Sequence, residues 1–326
     1  MFSIAATAIA HPNIAFIKYW GNRDPLLRLP STGSISMNLD GLITRATVAF
    51  DRSLEQDILI QDGNEVPGPP LERVSQFLDV LRAMSGLSSR ARVHSESNFP
   101  AGSGIASSAA AFAALALAGS RAAGLELTER ELSRLARRGS GSACRSVPGG
   151  FVEWRAGEDD ASSYAASIAP PDHWDIVDCI AVVSRAPKST GSTEGHALAD
   201  NSPLQAARIA GADRRLAICR RAILERDFQA FREVVELDSN LMHAVMMTSQ
   251  PPLLYWLPAT IAVVRAVIAM RGEGLDACYT IDAGPNVHVL CPASLAAEVA
   301  CRLLEVEGVE EALTARPGGP ARLVEE

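Results

Sequence analysis

Residues 100–110 put anion-binding residue types at a spacing that would present them together. Pro100-Ala101-Gly102-Ser103-Gly104-Ile105-Ala106-Ser107-Ser108 runs straight into an Ala/Leu-rich stretch, with no acidic side chain between Ser97 and Leu125. Gly102 and Gly104 remove β-carbons where an anion would press against the backbone. Ser107 and Ser108 fall where a helix begins, and the first N–H groups of a helix are unpaired and carry partial positive charge. The arrangement suits a polyphosphate; a flexible helix entry would have the same composition.

Four further segments carry chemistry-bearing residues. Lys18-Tyr19-Trp20-Gly21-Asn22 closes a β-like stretch whose alternation puts Asn13 and Tyr19 on one face and Lys18 on the other, unless the strand bends near Ile17. Ser140-Gly141-Ser142-Ala143-Cys144-Arg145-Ser146 surrounds one arginine with small hydroxylic residues, giving a planar, bidentate donor with room for a carboxylate or phosphate. Lys188-Ser189-Thr190-Gly191-Ser192-Thr193-Glu194-Gly195-His196 is a hydroxyl-rich turn after an expected strand. Thr280-Ile281-Asp282-Ala283-Gly284-Pro285-Asn286 sets one carboxylate at the end of an apolar strand, as a general base or as an acceptor for a substrate hydroxyl. Each segment alone also reads as ordinary structure: a surface lysine, a C-capping loop, a linker, an Asx turn.

The elements that must position these residues are legible from periodicity. Thr44–Asp51 and Asp57–Gln61 read as strands, Leu71–Ser85 as a helix, and Ala91–Asn98 as the strand that delivers the chain to the glycine-rich loop. A helix from about Ile105 to Ala123 follows; Thr128-Glu129-Arg130-Glu131 then has capping-box spacing and opens a helix to Arg138. Phe151–Arg155 and Ile176–Ser184 are strands around a Gly/Asp/Ser/Pro-rich excursion at 156–175. Long helices at 205–225, 227–247 and 258–272 precede strands at 277–282 and 286–291. Mixed strands and helices without regular βαβ alternation predict an α+β fold of two domains, 1–185 and 186–326.

A net charge of −8 argues against a general nucleic-acid surface, so any cationic site must be local. Only two lysines occur, Lys18 and Lys188. Six cysteines without a C-x-x-C pair point to reduced thiols rather than zinc or disulfides. No apolar run is long enough to span a bilayer and no secretory signal is evident, which predicts a cytoplasmic protein.

Together the segments resemble the diphosphomevalonate decarboxylase family of the GHMP small-molecule kinase superfamily. The resemblance rests on P-N-I-A-F-I-K-Y-W-G at 12–21, L-P-S-T-G-S-I-S at 29–36, N-F-P-A-G-S-G-I-A-S-S-A at 98–109, G-S-G-S-A-C-R-S at 139–146 and I-D-A-G-P-N at 281–286. It implies a GHMP-type N-terminal domain, a ferredoxin-like C-terminal domain and an active site between them. It also implies ATP-dependent phosphorylation of the tertiary hydroxyl of a 5-phosphorylated mevalonate, followed by loss of phosphate and carbon dioxide. By position, Asp282 engages the tertiary hydroxyl with Lys18 beside it, and Arg145, helped by Asn13, holds the carboxylate. Tyr19, Ser140 and Ser192 meet the 5-phosphoryl end, with Ser142 in the same pocket. Pro100, Gly102, Ser103, Gly104, Ala106, Ser107 and Ser108 form the ATP phosphate loop, with the Ser107 hydroxyl reaching magnesium. The family also favours a homodimer.

One departure from the family pattern matters. Its usual K-Y-W-G-K motif ends in a lysine that helps bind the diphosphate; here that position is Asn22, with Arg73 the surviving cation. Loss of a charge-assisted contact should hurt a diphosphate more than a monophosphate, so mevalonate 5-phosphate is the expected substrate. The alternatives are the 5-diphosphate, phosphorylation of the 3-hydroxyl without decarboxylation, and a non-catalytic nucleotide-binding protein.

Overall fold

The computed structural model describes residues 5–99, 107–186 and 190–324. Pro100, Gly102, Ser103, Gly104 and Ala106 of the glycine-rich loop, and Lys188, lie outside the described residues. The α+β expectation holds, and three sheets carry the architecture. The first has the strand order Arg322–Leu323, Ala5–Ala10, Thr44–Asp51, Arg90–Ser97, Ile58–Gln61 and Asn64–Glu65, so the chain's last strand returns to pair with its first. Helices Pro69–Ser85, Ser107–Ala122 and Glu129–Gly139 bury Phe77, Leu81, Ala114 and Leu135 against Val48 and Val93 of this sheet. The Ser107–Ala122 helix is apolar nearly all round, as a helix buried on most sides must be. The Thr128/Glu131 capping box forms as its spacing predicts.

The second sheet, ordered Ala165–Ala169, Phe151–Trp154, Ser34–Asn38 and Asn13–Ile17, lies under the site. The third, ordered Cys278–Ile281, Val287–Pro292, Ile176–Val182 and Glu311–Ala315, is wholly antiparallel. One face packs on helices Pro258–Gly272 and Ala296–Leu304 through Val263, Val267, Val299 and Leu303. The other meets Phe16, Met37 and Phe151 of the second sheet, and Leu216 and Phe231 of helices Ala212–Glu225 and Phe228–Thr248. Strand Ile176–Val182 is buried along its whole length, and its residues are apolar except for Asp178. Among the described residues, no helix is long and apolar enough to cross a membrane.

Several local readings are corrected. The 156–175 excursion contains the edge strand Ala165–Ala169, whose small residues mask its periodicity. The helix read over 205–225 is two, Gln205–Ala210 and Ala212–Glu225, divided at Gly211. The hydroxyl-rich turn becomes a short helix, Ser192–Leu198.

The loop after Glu129–Gly139 approaches the end of the Asn13–Ile17 strand closely. A β-carbon on Gly141 would lie 2.5 Å from the Tyr19 ring. Gly141→Ala should therefore destabilise by about 1–3 kcal/mol and raise KM for the phosphorylated substrate, because the ring must move. Thermal unfolding and steady-state kinetics check this; an unchanged midpoint and KM would contradict it.

Candidate active site

Two sheets and four helices bring Lys18 to its position. Strand Asn13–Ile17 pairs with Ser34–Asn38, and the register shifts between Ala15 and Ile17. Phe16 is the extra residue, and its side chain is buried in the core. This bulge is the bend that alternation requires near Ile17, and it brings Lys18 and Tyr19 to the same cavity. The backbone beyond it is held by side chains rather than by a ladder. The Lys18 N–H donates to Asp238 Oδ1 (2.7 Å), and Arg208 donates to the carbonyls of Lys18 (2.7 Å) and Trp20 (3.2 Å). The second Asp238 oxygen accepts from Arg215 (2.6 Å), while His196 Nδ1 accepts from the Gly21 N–H (3.0 Å). The His196 ring lies against Tyr19 and Trp20, at centroid distances of 4.0 and 4.6 Å.

Lys18 is 1% exposed, and its Nζ lies 2.5 Å from Asp282 Oδ1. The two residues are separated by 264 positions. Asp282 follows strand Cys278–Ile281, which is fixed by Thr280 Oγ1 donating to the Ala15 carbonyl (3.2 Å) and by His243 Nε2 bonding the Ile281 carbonyl (3.2 Å). Burial pushes the Lys18 ammonium below its ordinary range, against the pull of Asp282 and Asp238. Burial would raise Asp282, but the charges of Lys18, His288 and Arg145 outweigh it and hold the carboxyl low. Burial also lowers His243 to about 4, leaving it neutral near pH 7 as a donor to the Ile281 carbonyl. The pair therefore presents an ionised carboxylate clamped by an ammonium with little access to water.

Arg145, 2% exposed, sits in the tight turn Gly141–Ser146. Its Nε and Nη2 donate to Asn13 Oδ1 (3.2 and 3.0 Å) and its Nη1 to Ser34 Oγ (2.7 Å). Asn13 is itself oriented by donating to Ser146 Oγ (2.7 Å). Asn13 thus stands behind Arg145 and positions it. A guanidinium has five N–H donors, so this one keeps donors for a ligand in the cavity.

Lys18, Tyr19, Arg73, Ser107, Ser108, Ser140, Ser142, Arg145, Ser192 and Asp282 all line one cavity of about 320 Å³. Asn22 does not; its Oδ1 accepts from the Tyr19 hydroxyl (2.5 Å). Burial raises the Tyr19 hydroxyl well above its ordinary range, so it stays a neutral donor. Arg73 donates twice to the Gly139 carbonyl (3.2 and 2.9 Å) and lies 4.5 Å over the Phe112 ring. Burial, helped by Arg28, lowers Arg73 to about 10. The sequence reading missed Arg28 and His196 on the wall, and Asp238, Arg208 and Arg215 behind it. His196 closes the hydroxyl-rich segment but was given no role, whereas Arg208, Arg215 and Asp238 lie in ordinary helical sequence. Among the described lining residues the fixed charges are Lys18, Arg28, Arg73 and Arg145 against the single carboxylate Asp282. In a chain of net charge −8, this is a local anion site.

A second cavity of about 290 Å³ shares Arg73, Ser107 and Ser108 with the first. Leu59, Val74, Val93, Phe112 and Leu115 make it largely apolar, with Ser95 and Ser97 at its edge. Apolar walls with a few polar groups suit a flat heteroaromatic ring.

The sequence and the fold match one family. Residues 10–165 match the diphosphomevalonate decarboxylase-like N-terminal domain, and 179–317 the mevalonate 5-diphosphate decarboxylase C-terminal domain. The chain belongs to the diphosphomevalonate decarboxylase family. It is 41% identical over 306 residues to the diphosphomevalonate decarboxylase of Candida albicans, covering 89% of this chain and 84% of that one. It is 36% identical over 286 residues to the phosphomevalonate decarboxylase of Haloferax volcanii, covering 87% of each. The solved mevalonate diphosphate decarboxylase of Staphylococcus aureus superposes with TM-score 0.95 at 34% identity over 99% of both chains. A solved structure of MDDEF in complex with MVAPP, AMPPCP and magnesium superposes with TM-score 0.94 at 33% identity over 100% of both chains.

In this site, Arg145→Lys replaces a fixed fork with one mobile ammonium. It should lower kcat/KM by at least ~2 kcal/mol, about 30-fold. A near-silent substitution in steady-state assays would remove Arg145 from the binding site.

Proposed function

We propose that this chain is an ATP-dependent decarboxylase acting on mevalonate 5-phosphate, releasing isopentenyl phosphate, ADP, phosphate and carbon dioxide. The observation that carries the reaction type is the convergence of Asp282, Lys18 and Arg145 on one cavity that Arg28 and Arg73 also line. A kinase that stops at phosphorylation, or a nucleotide-binding scaffold, has no need of all three.

In this reading, ATP lies across the second cavity, with its base among Val74, Val93 and Phe112 and its phosphates by Ser107 and Ser108. Among the described residues no cluster of three His, Cys, Asp or Glu could hold a metal. A hydroxyl such as that of Ser107, together with phosphate oxygens and water, is a normal set for magnesium, which would supply charge neutralisation when bound. Asp282 accepts the hydrogen bond, and then the proton, of the tertiary hydroxyl as its oxygen attacks the γ-phosphoryl group. ADP leaves as the oxygen–phosphorus bond forms. The bond between the tertiary carbon and its phosphorylated oxygen then breaks, and phosphate leaves with the electron pair. The positive charge growing on the carbon is stabilised by the substrate's own carboxylate. Arg145 holds the substrate carboxylate until the C–C bond electrons form the double bond and carbon dioxide leaves.

The monophosphate preference is supported by Asn22. It holds Tyr19 and brings no charge to the cavity wall, where the family's usual motif has a lysine. The H. volcanii relative is named for the monophosphate. The diphosphate reading has Arg28 in its favour, a further cation on that wall.

Measuring kcat/KM for mevalonate 5-phosphate and 5-diphosphate, with ADP and carbon dioxide both followed, decides between them. Wild type should prefer the monophosphate. Asn22→Lys should move the ratio toward the diphosphate by about 5- to 30-fold, roughly 1–2 kcal/mol, and less at high salt. A wild-type preference of tenfold for the diphosphate would overturn the monophosphate reading and make Arg28 and Arg73 the replacing cations. ADP release without carbon dioxide would overturn decarboxylation.

A further inference from the structure

The third sheet buries a second ionisable pair, outside the cavity wall. Asp178, on Ile176–Val182, and His288, on Val287–Pro292, are 0% and 1% exposed, with His288 Nδ1 2.6 Å from Asp178 Oδ2. Among the described residues, Asp178 Oδ1 and His288 Nε2 have no hydrogen-bond partner. Such a pair is poor value for stability, since well-packed apolar residues would serve as well or better. Register shows what it faces. His288 stands directly opposite Thr280, two residues before Asp282. Asp178 lies one strand further out, on the far side of the ring. The end of the pair nearer Asp282 is thus the imidazole.

We propose that Asp178 and His288 form a positioning pair that supports the Asp282 carboxylate from behind, in addition to the clamp by Lys18. The charge of His288 is among those that hold Asp282 low. The other charged or titratable groups around Asp282 are Lys18 at the end of Asn13–Ile17, Arg145 in the 141–146 turn and His243 on Phe228–Thr248, with Asp238 on the Lys18 amide. Of these, Lys18 and Arg145 are also drawn on by the substrate and nucleotide. His288 is set apart from the cavity, so its contribution persists when anions bind.

This proposal rests on the decarboxylase reading but not on the number of substrate phosphates. The test is the pH profile of kcat for ADP release, with whichever phosphorylated mevalonate the wild type turns over. If wild type turns over neither, the functional reading fails before this one is addressed. His288→Gln removes the charge and should move the acid limb upward by about half to one pH unit, because losing a cation raises Asp282. His288→Lys should return the limb to within about 0.2 unit of wild type. Where the lone carboxylate left by His288→Gln prevents folding, Asp178→Leu/His288→Leu gives an apolar wall and a smaller upward shift is expected, because the nearer cation and the more distant anion are lost together. An acid limb that stays in place in a folded variant, or an equal loss of kcat at every pH with no recovery in His288→Lys, would overturn the proposal.

Discussion

The fold depends on one constraint: the ammonium of Lys18 is buried, so a carboxylate must be brought to it. Removing one partner of a buried ion pair leaves a charge without water or counterion and costs about 3–5 kcal/mol. The partner, Asp282, comes from the far end of the chain, so the pair forms only when the second and third sheets are already in register. The Thr280–Ala15 hydrogen bond and the contact of Phe16 with Phe231 make the same junction. Stability and catalytic geometry are here one requirement.

The constraint extends outward in layers. Lys18 leaves the ladder after a bulge, and its amide and carbonyl would be orphaned without Asp238 and Arg208. Asp238 in turn needs Arg215, which bonds the Arg208 carbonyl (2.7 Å). Three helices are thereby committed to fixing one short segment. Arg145 is treated in the same way by Asn13, Ser34 and Ser146, so the cationic groups meet a ligand with their orientation already set, which is the condition for electrostatic stabilisation of a transition state.

The sequence carried the parts whose physics is local. Thr44–Asp51 appears at its predicted bounds because strict alternation fixes a half-buried strand, and the Thr128/Glu131 box because capping involves residues three apart within a single turn. Lys18, Arg145 and Asp282 could be nominated from motifs, and the bend at Ile17 could be required, but only pairing with Ser34–Asn38 locates the bulge at Phe16. Asp238 and Arg208 were illegible because each sits at an ordinary helical position and gains its role from a partner some 190 to 220 residues away. Asn13 and Asn22 show a further limit. Their identities pointed to the site, whereas their places behind Arg145 and Tyr19 are matters of tertiary geometry.

The central claim is that Lys18 and Asp282 work as one unit, and a double-mutant cycle on kcat tests it most directly. Lys18→Met, Asp282→Asn and the double variant are compared with wild type in single-turnover ADP release, with ATP affinity measured alongside. Each single change should cost at least ~100-fold, and the double should fall within a few-fold of the worse single, because the second change removes nothing that still functions. ATP affinity should remain within a few-fold throughout. Multiplicative losses, or a Lys18→Met enzyme retaining more than about a tenth of wild-type kcat, would contradict the account.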